Sequence, residues 1–106
     1  MKHAFLCVFF LFLAGCGTHY YTIRDDRVSI FLKMPDARNV YFASSLDQFK
    51  LQPAEKRNGG IWEIEVPAVS EFRYFYTVGG VVYLPDCRLK ETDDFGAENC
   101  LFVPNM

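Results

Sequence analysis

The amino-acid sequence predicts an all-β fold, a small immunoglobulin-like β-sandwich of six to seven short antiparallel strands. Aromatic residues make up 17% of the 106-residue chain, with 11 Phe and 6 Tyr, and aromatic side chains favour strands and pair across them. Short apolar-rich segments recur at close intervals, with residues that favour turns between them. After the N-terminal segment, no stretch of ten residues has a convincing helical period. Short strands joined by turns in one small domain are typical of a β-sandwich.

Six strands are predicted from these apolar segments, and each gap between them contains turn-forming residues. The segment IWEIEV alternates cleanly, with Trp62, Ile64 and Val66 on one face and two glutamates on the other, which indicates a strand with one solvated side. We therefore expect Trp62 in the core. The pair Gly79 and Gly80 predicts a two-residue hairpin turn, because glycine accepts the positive φ angles that such turns require. The predicted strands are residues 28–33, 38–43, 61–66, 72–78, 81–84 and 100–103.

The first fifteen residues have a separate composition and predict a secretory signal. A short basic start is followed by an uninterrupted apolar run, residues 4–14. A helix of this length rises about 16 Å, roughly half of a hydrocarbon core about 30 Å thick. The run therefore suits the apolar region of a signal peptide better than a membrane span. The next residues complete Leu-Ala-Gly-Cys at 13–16, which resembles the bacterial lipobox, where small residues precede an invariable cysteine.

The resemblance to the lipobox implies that Cys16 is lipidated and that residues 1–15, the signal peptide, are removed. Two or more acyl chains, palmitate among them, make a durable membrane anchor, whereas one chain binds only marginally. The protein is then a lipid-anchored lipoprotein of the cell envelope. Gly17 is compatible with sorting to the outer membrane, facing the periplasm, and the plasma membrane of a bacterium with a single membrane is the alternative. An ordinary signal peptide with a chance cysteine, or a buried N-terminal strand, also stays open.

Residues 16–27 are expected to connect the lipidated cysteine to a domain that comprises residues 28–106. The segment has no clear period and is predicted to be a tether. The run Tyr-Tyr-Thr-Ile at 20–23 favours extended structure, so a first strand is the alternative. Because His19 lies in this tether and His3 in the signal, no histidine is expected in the folded domain.

The cysteines predict a disulfide. Of the four, Cys7 leaves with the signal and Cys16 takes lipid, so Cys87 and Cys100 remain. Two cysteines in an oxidising envelope are expected to pair. Closing a loop of about 14 residues stabilises a domain by roughly 3 kcal/mol in the chain-entropy model. Two buried free thiols are the alternative, since spacing alone does not determine geometry.

The order of four segments resembles a known family. These segments are VSIFLKMPDARNVYFASSLDQF, GGIWEIEV, FRYFYTVGGVVYLPD and DDFGAEN, and together they resemble the glycogen-binding domains of AMP-activated kinase β subunits. They are equally similar to the early-set domains that precede the catalytic barrel in isoamylases and branching enzymes, grouped as carbohydrate-binding module family 48. The resemblance covers residues 28–104 and implies an immunoglobulin-like sandwich. In the binding members it also implies recognition of α-1,4-glucans by aromatic rings that stack on glucose.

The sugar-contacting residues of the family are only partly present. Phe49 lies where the family usually has its first stacking tryptophan, and Asn99 matches an asparagine near the last strand. Val82 replaces the second stacking tryptophan; Tyr83 is adjacent, but alternation sends its side chain to the opposite face. Phe75 stands where the family commonly has a lysine. The expected carbohydrate-binding residues are therefore Phe49, Tyr83 and Asn99, and the alternatives are that Phe49 plugs the end of the sandwich and that Asn99 shapes a turn.

Other functions have little support in the sequence. With 11 Lys and Arg against 13 Asp and Glu, the formal charge of −2 offers no electrostatic case for nucleic acid. We expect no enzyme and no cofactor, because no folded histidine is available as a base for the serines. Asp93, Asp94, Glu98 and Asn99 have the oxygens that Ca²⁺ prefers, but their spacing matches no standard loop, so a solvated turn is expected and no metal site.

Two functions without catalysis remain. In the first, the lipoprotein binds an α-glucan or a related oligosaccharide at the envelope. In the second, the sandwich has lost sugar binding and pairs with an envelope protein through exposed aromatic side chains or an edge strand. Fold alone does not decide between them.

Overall fold

The computed structural model describes residues 19–104, which form two antiparallel sheets packed face to face. One sheet has four strands in the order β1-β2-β6-β5. The other has the order β4-β3-β7-β10-β9, with β8 also paired to β7. The strands are β1 His19–Arg24, β2 Arg27–Lys33, β3 Val40–Ser44, β4 Gln52–Pro53, β5 Glu55–Arg57, β6 Ile61–Pro67, β7 Phe72–Val78, β8 Val81–Tyr83, β9 Lys90–Thr92 and β10 Glu98–Phe102.

The predicted all-β sandwich class is confirmed, and the described residues contain more strands than the sequence predicts. All six predicted strands are present, with ends that differ by two residues or fewer. The additional strands β4, β5 and β9 have two or three residues each. They are edge strands with mostly exposed side chains, and backbone pairing to a neighbour defines them. No apolar alternation therefore marks them in the sequence.

The core lies between the two sheets and follows the alternation of the strands. In β2 the side chains of Val28, Ile30 and Leu32 are buried, and the residues between them face solvent. Trp62 of β6 is buried as predicted, and its Nε1 donates a hydrogen bond to the carbonyl oxygen of Met34 at 3.0 Å. Burying an indole with its N–H satisfied avoids the cost of an unpaired donor in the core.

Two turns that contain glycine connect consecutive strands, β5 to β6 and β7 to β8. Gly79 and Gly80 have φ angles of 60° and 83° and join β7 to β8, which confirms the predicted hairpin. Gly60 has a φ of 74°, and a Cβ at this position would lie 2.6 Å from Pro35. Only glycine therefore fits there, where the start of β6 meets the loop after β2.

Cys87 and Cys100 form a disulfide, as the sequence predicts, with Cα atoms 5.8 Å apart. Cys100 belongs to β10 and is fully buried, whereas Cys87 lies in the segment between β8 and β9. The bond therefore attaches this irregular segment to a central strand of the larger sheet.

The N-terminal part of the described chain is a strand. The sequence left a tether and a first strand as alternatives for residues 17–27, and β1 pairs along its whole length with β2, from His19 opposite Leu32 to Arg24 opposite Arg27. The expectation that no histidine lies in the folded domain is therefore wrong. His19 is partly buried, and its ring centroid lies 5.9 Å from those of Tyr74 and Tyr76.

The predicted signal peptide, the lipidated Cys16 and Gly17 lie outside the described residues. Residues 19–104 contain no helix with the length and hydrophobicity of a membrane span.

Candidate functional site

The six-stranded sheet has one face turned to the core and one turned to solvent, and we call the second its outer face. In β7 the side chains of Phe72, Tyr74 and Tyr76 are buried, so alternation turns the residues between them outward. Cys100 of β10 is buried and lies opposite Tyr74, so its two neighbours face outward as well. The outer face carries Arg73, Phe75 and Thr77 from β7, Asn99 and Leu101 from β10, Glu91 from β9 and Val82 from β8.

Phe49 lies over this outer face. Its ring is nearly parallel to the ring of Phe75, with 14° between the planes and 5.8 Å between the centroids. Phe49 is 38% exposed, so it does not serve as a buried plug of the sandwich. The two rings instead form an aromatic pair on the solvent side of the sheet.

The loop after β3 holds Phe49 in this position. The hydroxyl of Ser44 accepts a hydrogen bond from the backbone N–H of Leu46, and the Ser44 carbonyl accepts one from the N–H of Phe49 at 2.7 Å. Both Gln48 and Phe49 have a φ of 63°, a left-handed conformation that costs a bulky residue energy. The loop therefore turns sharply to direct an aromatic ring onto the sheet.

Asn99 lies beside the aromatic pair on the same face. Because Cys100 is opposite Tyr74, Asn99 lies at the level of Phe75 on the neighbouring strand. Its side chain is buried and hydrogen-bonds to Asp93. The carboxylate of Asp93 also accepts hydrogen bonds from the backbone N–H groups of Ala97 and Phe95. The bond from Ala97 contributes most to lowering the pKa of Asp93. Asn99 thus both shapes this turn and presents an amide near Phe75.

An ion pair completes the polar side of the face. The Nε–H of Arg73 donates to the carboxylate of Glu91, which lies opposite Asn99. This hydrogen bond raises the pKa of Arg73. The pair spans β10, so that the donor lies on the same strand as Phe75 and the acceptor lies two strands away.

Tyr83 does not join Phe49 and Asn99. It lies opposite Tyr76, so its side chain turns toward the core, against which it packs. Its neighbour Val82 faces outward and is 65% exposed. Alternation along β8 is the physical reason, and it separates the third predicted sugar-contacting residue from the other two.

Phe75 is the residue of this face that the sequence analysis missed. The sequence showed only that Phe75 stands where the family commonly has a lysine, so a hydrogen-bond donor is absent there. The alternation of FRYFYTV contains the missing signal, because burial of Phe72, Tyr74 and Tyr76 requires Phe75 to face outward. The contact between Phe75 and Phe49 was not predictable, since it depends on the loop after β3.

His19, Ser44 and Ser45 are engaged in contacts within the fold. Burial lowers the pKa of His19 to about 4, while the nearby Asp86 opposes this shift. The hydroxyl oxygen of Ser44 accepts from Leu46, and that of Ser45 accepts from the backbone N–H of Arg73 at 3.0 Å. Residues 19–104 contain no cluster of three or more His, Cys, Asp or Glu side chains placed to hold a metal ion.

Comparisons with known proteins identify the fold. Neither the protein-family models nor the curated proteins contain a match. Among solved structures, a pullulanase from Bacillus acidopullulyticus is 19% identical and has a TM-score of 0.55, with 80% of this chain and 11% of that chain covered. The Br derivative of BhCBM56 is 26% identical and has a TM-score of 0.44, with 63% of this chain and 90% of that chain covered. The chain thus spans only a small part of the pullulanase, with which it shares a β-sandwich fold.

Proposed function

We propose that this protein is a non-catalytic, lipid-anchored envelope protein whose outer face binds an α-glucan or a related oligosaccharide. The observation that carries the proposal is the aromatic pair of the exposed Phe49 and the half-buried Phe75. Aromatic rings contact the apolar face of a pyranose, which presents C–H groups, while polar side chains contact its hydroxyls. Arg73 and Glu91 supply a donor and an acceptor, and Asn99 supplies an amide beside Phe75.

The strained loop supports a binding role for Phe49. Two consecutive non-glycine residues, Gln48 and Phe49, hold positive φ angles, and each such conformation costs on the order of 1–3 kcal/mol. Strain of this kind is concentrated at ligand-binding positions.

The anchor and the location are part of the same proposal. The chain begins with a basic start, an apolar run and small residues that lead to Cys16, and this order supports lipidation of Cys16. The lipid would hold the protein in the outer membrane, facing the periplasm. The disulfide between Cys87 and Cys100 supports an oxidising compartment, because structural disulfides are rare in the cytosol.

A protein-binding module is the second candidate, and three exposed apolar side chains favour it. Phe95 is 96% exposed at the tip of the β9–β10 hairpin, and Val81 and Val82 are 69% and 65% exposed on β8. Exposed apolar groups of this kind are typical of surfaces that contact another protein.

Affinity electrophoresis of the full-length protein in mild detergent, through gels with and without amylopectin, separates the two candidates. We expect amylopectin to retard the wild-type protein and Phe75→Ala to weaken the apparent affinity about tenfold, a free-energy change of about 1.4 kcal/mol. Phe49→Ala should have a similar effect. Phe95→Ala is the matched control, because it removes an exposed phenylalanine whose ring contacts neither Phe49 nor Phe75, and it should migrate as wild type. Wild-type migration that is identical in both gels would remove the glucan proposal.

A further inference from the structure

A cleft lies at one side of the sandwich and meets the outer face at Leu101, which is part of its lining. One wall is β1, the edge strand of the smaller sheet, and the other is the segment 86–89 that precedes β9. The side chains of Tyr74 and Phe102, which face the interior, form the floor. The cleft has a volume of about 750 Å³, within the range of about 300–1,000 Å³ that is usual for small-molecule sites.

The two charged side chains that line the cleft have opposite signs, so the net charge of the cleft is close to zero. Asp86 and Arg88 are exposed at its rim, and neither forms an ion pair with another residue of the described chain. His19 lines the cleft between them and the floor, and its lowered pKa of about 4 keeps it neutral at physiological pH. A neutral ligand therefore fits the cleft better than an ion does.

The cleft also combines apolar surface with groups that hydrogen-bond. Tyr21 is 37% exposed, and its ring meets the edge of Phe102 with 5.3 Å between the centroids. The hydroxyl of Tyr74 lies 3.4 Å from Nε2 of His19. Arg88 offers donors and Asp86 offers acceptors at the rim. The exposed ring of Tyr21, bounded by both donors and acceptors, complements a pyranose, in which one face presents C–H groups and the edge presents hydroxyls.

The disulfide holds the wall in position. Cys87 lies between Asp86 and Arg88 and is bonded to Cys100 of β10. The carbonyl oxygen of Leu89 accepts a hydrogen bond from the N–H of Leu101 at 2.9 Å. Both restraints attach the backbone of the rim to β10 of the larger sheet. Restraint of this kind lowers the entropy cost of ligand binding.

We propose that this cleft is a second binding site, separate from the one on the outer face, for a single neutral pyranose unit. It recognises the apolar face of the sugar through the ring of Tyr21 and its hydroxyls through Asp86 and Arg88. This proposal does not depend on glucan binding at the outer face, because the two sites share no contacting side chain.

Two-dimensional ¹H–¹⁵N spectra of the full-length protein in detergent micelles test the proposal, with glucose, galactose, glucuronate and sorbitol as probes. We expect a neutral monosaccharide to cause saturable shifts at the backbone amides of Tyr21, Arg88 and Leu89. Arg88→Ala and Asp86→Ala should each raise the dissociation constant about tenfold. Arg24→Ala, at the far end of β1, is the matched control and should leave it unchanged.

Three results would overturn the proposal: no saturable shift at these amides with either glucose or galactose, tighter binding of glucuronate than of glucose, or equal binding of the acyclic sorbitol. The variants are also examined in amylopectin gels, where Arg88→Ala should still be retarded if the outer face binds glucan. The two sites can therefore fail independently. Both cleft variants replace exposed side chains, so we expect them to fold. Variant spectra that match the wild-type spectrum outside the cleft would verify this.

Discussion

At the scale of single residues, His19 couples the ionisation of one side chain to the stability of the domain. Its ring packs against Tyr74 and Tyr76 between the sheets, with Asp86 nearby. Burial lowers its pKa from 6.5 to about 4, since loss of water disfavours the charged imidazolium. Between pH 4 and pH 6.5, His19 therefore binds a proton in the unfolded chain but not in the folded chain.

This difference predicts a loss of stability in acid. As the pH falls from 6.5 to 4, protonation of His19 in the unfolded state should lower the free energy of unfolding by about 2 kcal/mol. Well above pH 6.5 the histidine is neutral in both states and adds no pH dependence. Urea unfolding at pH 7 and pH 4.5, followed by the fluorescence of the single tryptophan Trp62, measures the effect.

His19→Gln provides the comparison, because glutamine keeps a polar side chain that does not titrate. Carboxylates also titrate in this range, so the informative quantity is the difference between the two proteins. The variant should lose about 2 kcal/mol less stability than the wild type between the two pH values. Equal losses in both proteins would show that His19 does not titrate with folding.

At the scale of elements, the segment between β8 and β9 is irregular and depends on a covalent bond for its position. It has few backbone hydrogen bonds of its own, the bond between the N–H of Cys87 and the carbonyl of Pro85 among them. The disulfide to β10 attaches it to the core. The short strand β9 follows directly and pairs with β10 over three residues. The strand β9, which extends the larger sheet beyond β10, therefore begins directly after the segment that the disulfide attaches.

Removing the disulfide should destabilise the domain. The double substitution Cys87→Ser and Cys100→Ser opens a loop of about 14 residues and should lower the free energy of unfolding by roughly 3 kcal/mol. Urea unfolding of the oxidised protein, the protein in reducing agent and the double variant measures this loss. Reducing agent should leave the variant unchanged, which serves as the control. An oxidised and a reduced protein of equal stability would contradict the prediction.

At the scale of the whole molecule, the proposed anchor and the domain lie close together. The first residue of β1, His19, follows Cys16 by three residues, and three extended residues span at most about 11 Å. A lipid on Cys16 would therefore keep the domain near the membrane surface.

Replacement of the lipobox cysteine tests the anchor. In cells grown with labelled palmitate, the wild-type protein should carry the label, and Cys16→Ala should lose it and leave the membrane fraction. Cys7→Ala is the control and should keep the label, since this cysteine lies in the proposed signal peptide. Equal labelling of the Cys16→Ala protein would exclude Cys16 as the lipidation site.

The sequence by itself determined the sandwich class, the six apolar strands, the hairpin at Gly79 and Gly80 and the core position of Trp62. It predicted the pairing of Cys87 with Cys100, with free thiols as the alternative, and the structure decided for the pairing. These features depend on local patterns, such as alternation, turn-forming glycines and the count of cysteines, which are visible along the chain.

Only the tertiary structure decided which side chains meet. It brought Phe49 to Phe75 through a loop with left-handed backbone and separated Tyr83 from both. It also placed His19 between the sheets as part of an edge strand. Edge strands and loop contacts depend on backbone pairing and on approach between residues distant in sequence. No periodic pattern of side chains encodes these contacts. The sequence therefore predicted the fold class, whereas the candidate sites could be identified only from the fold.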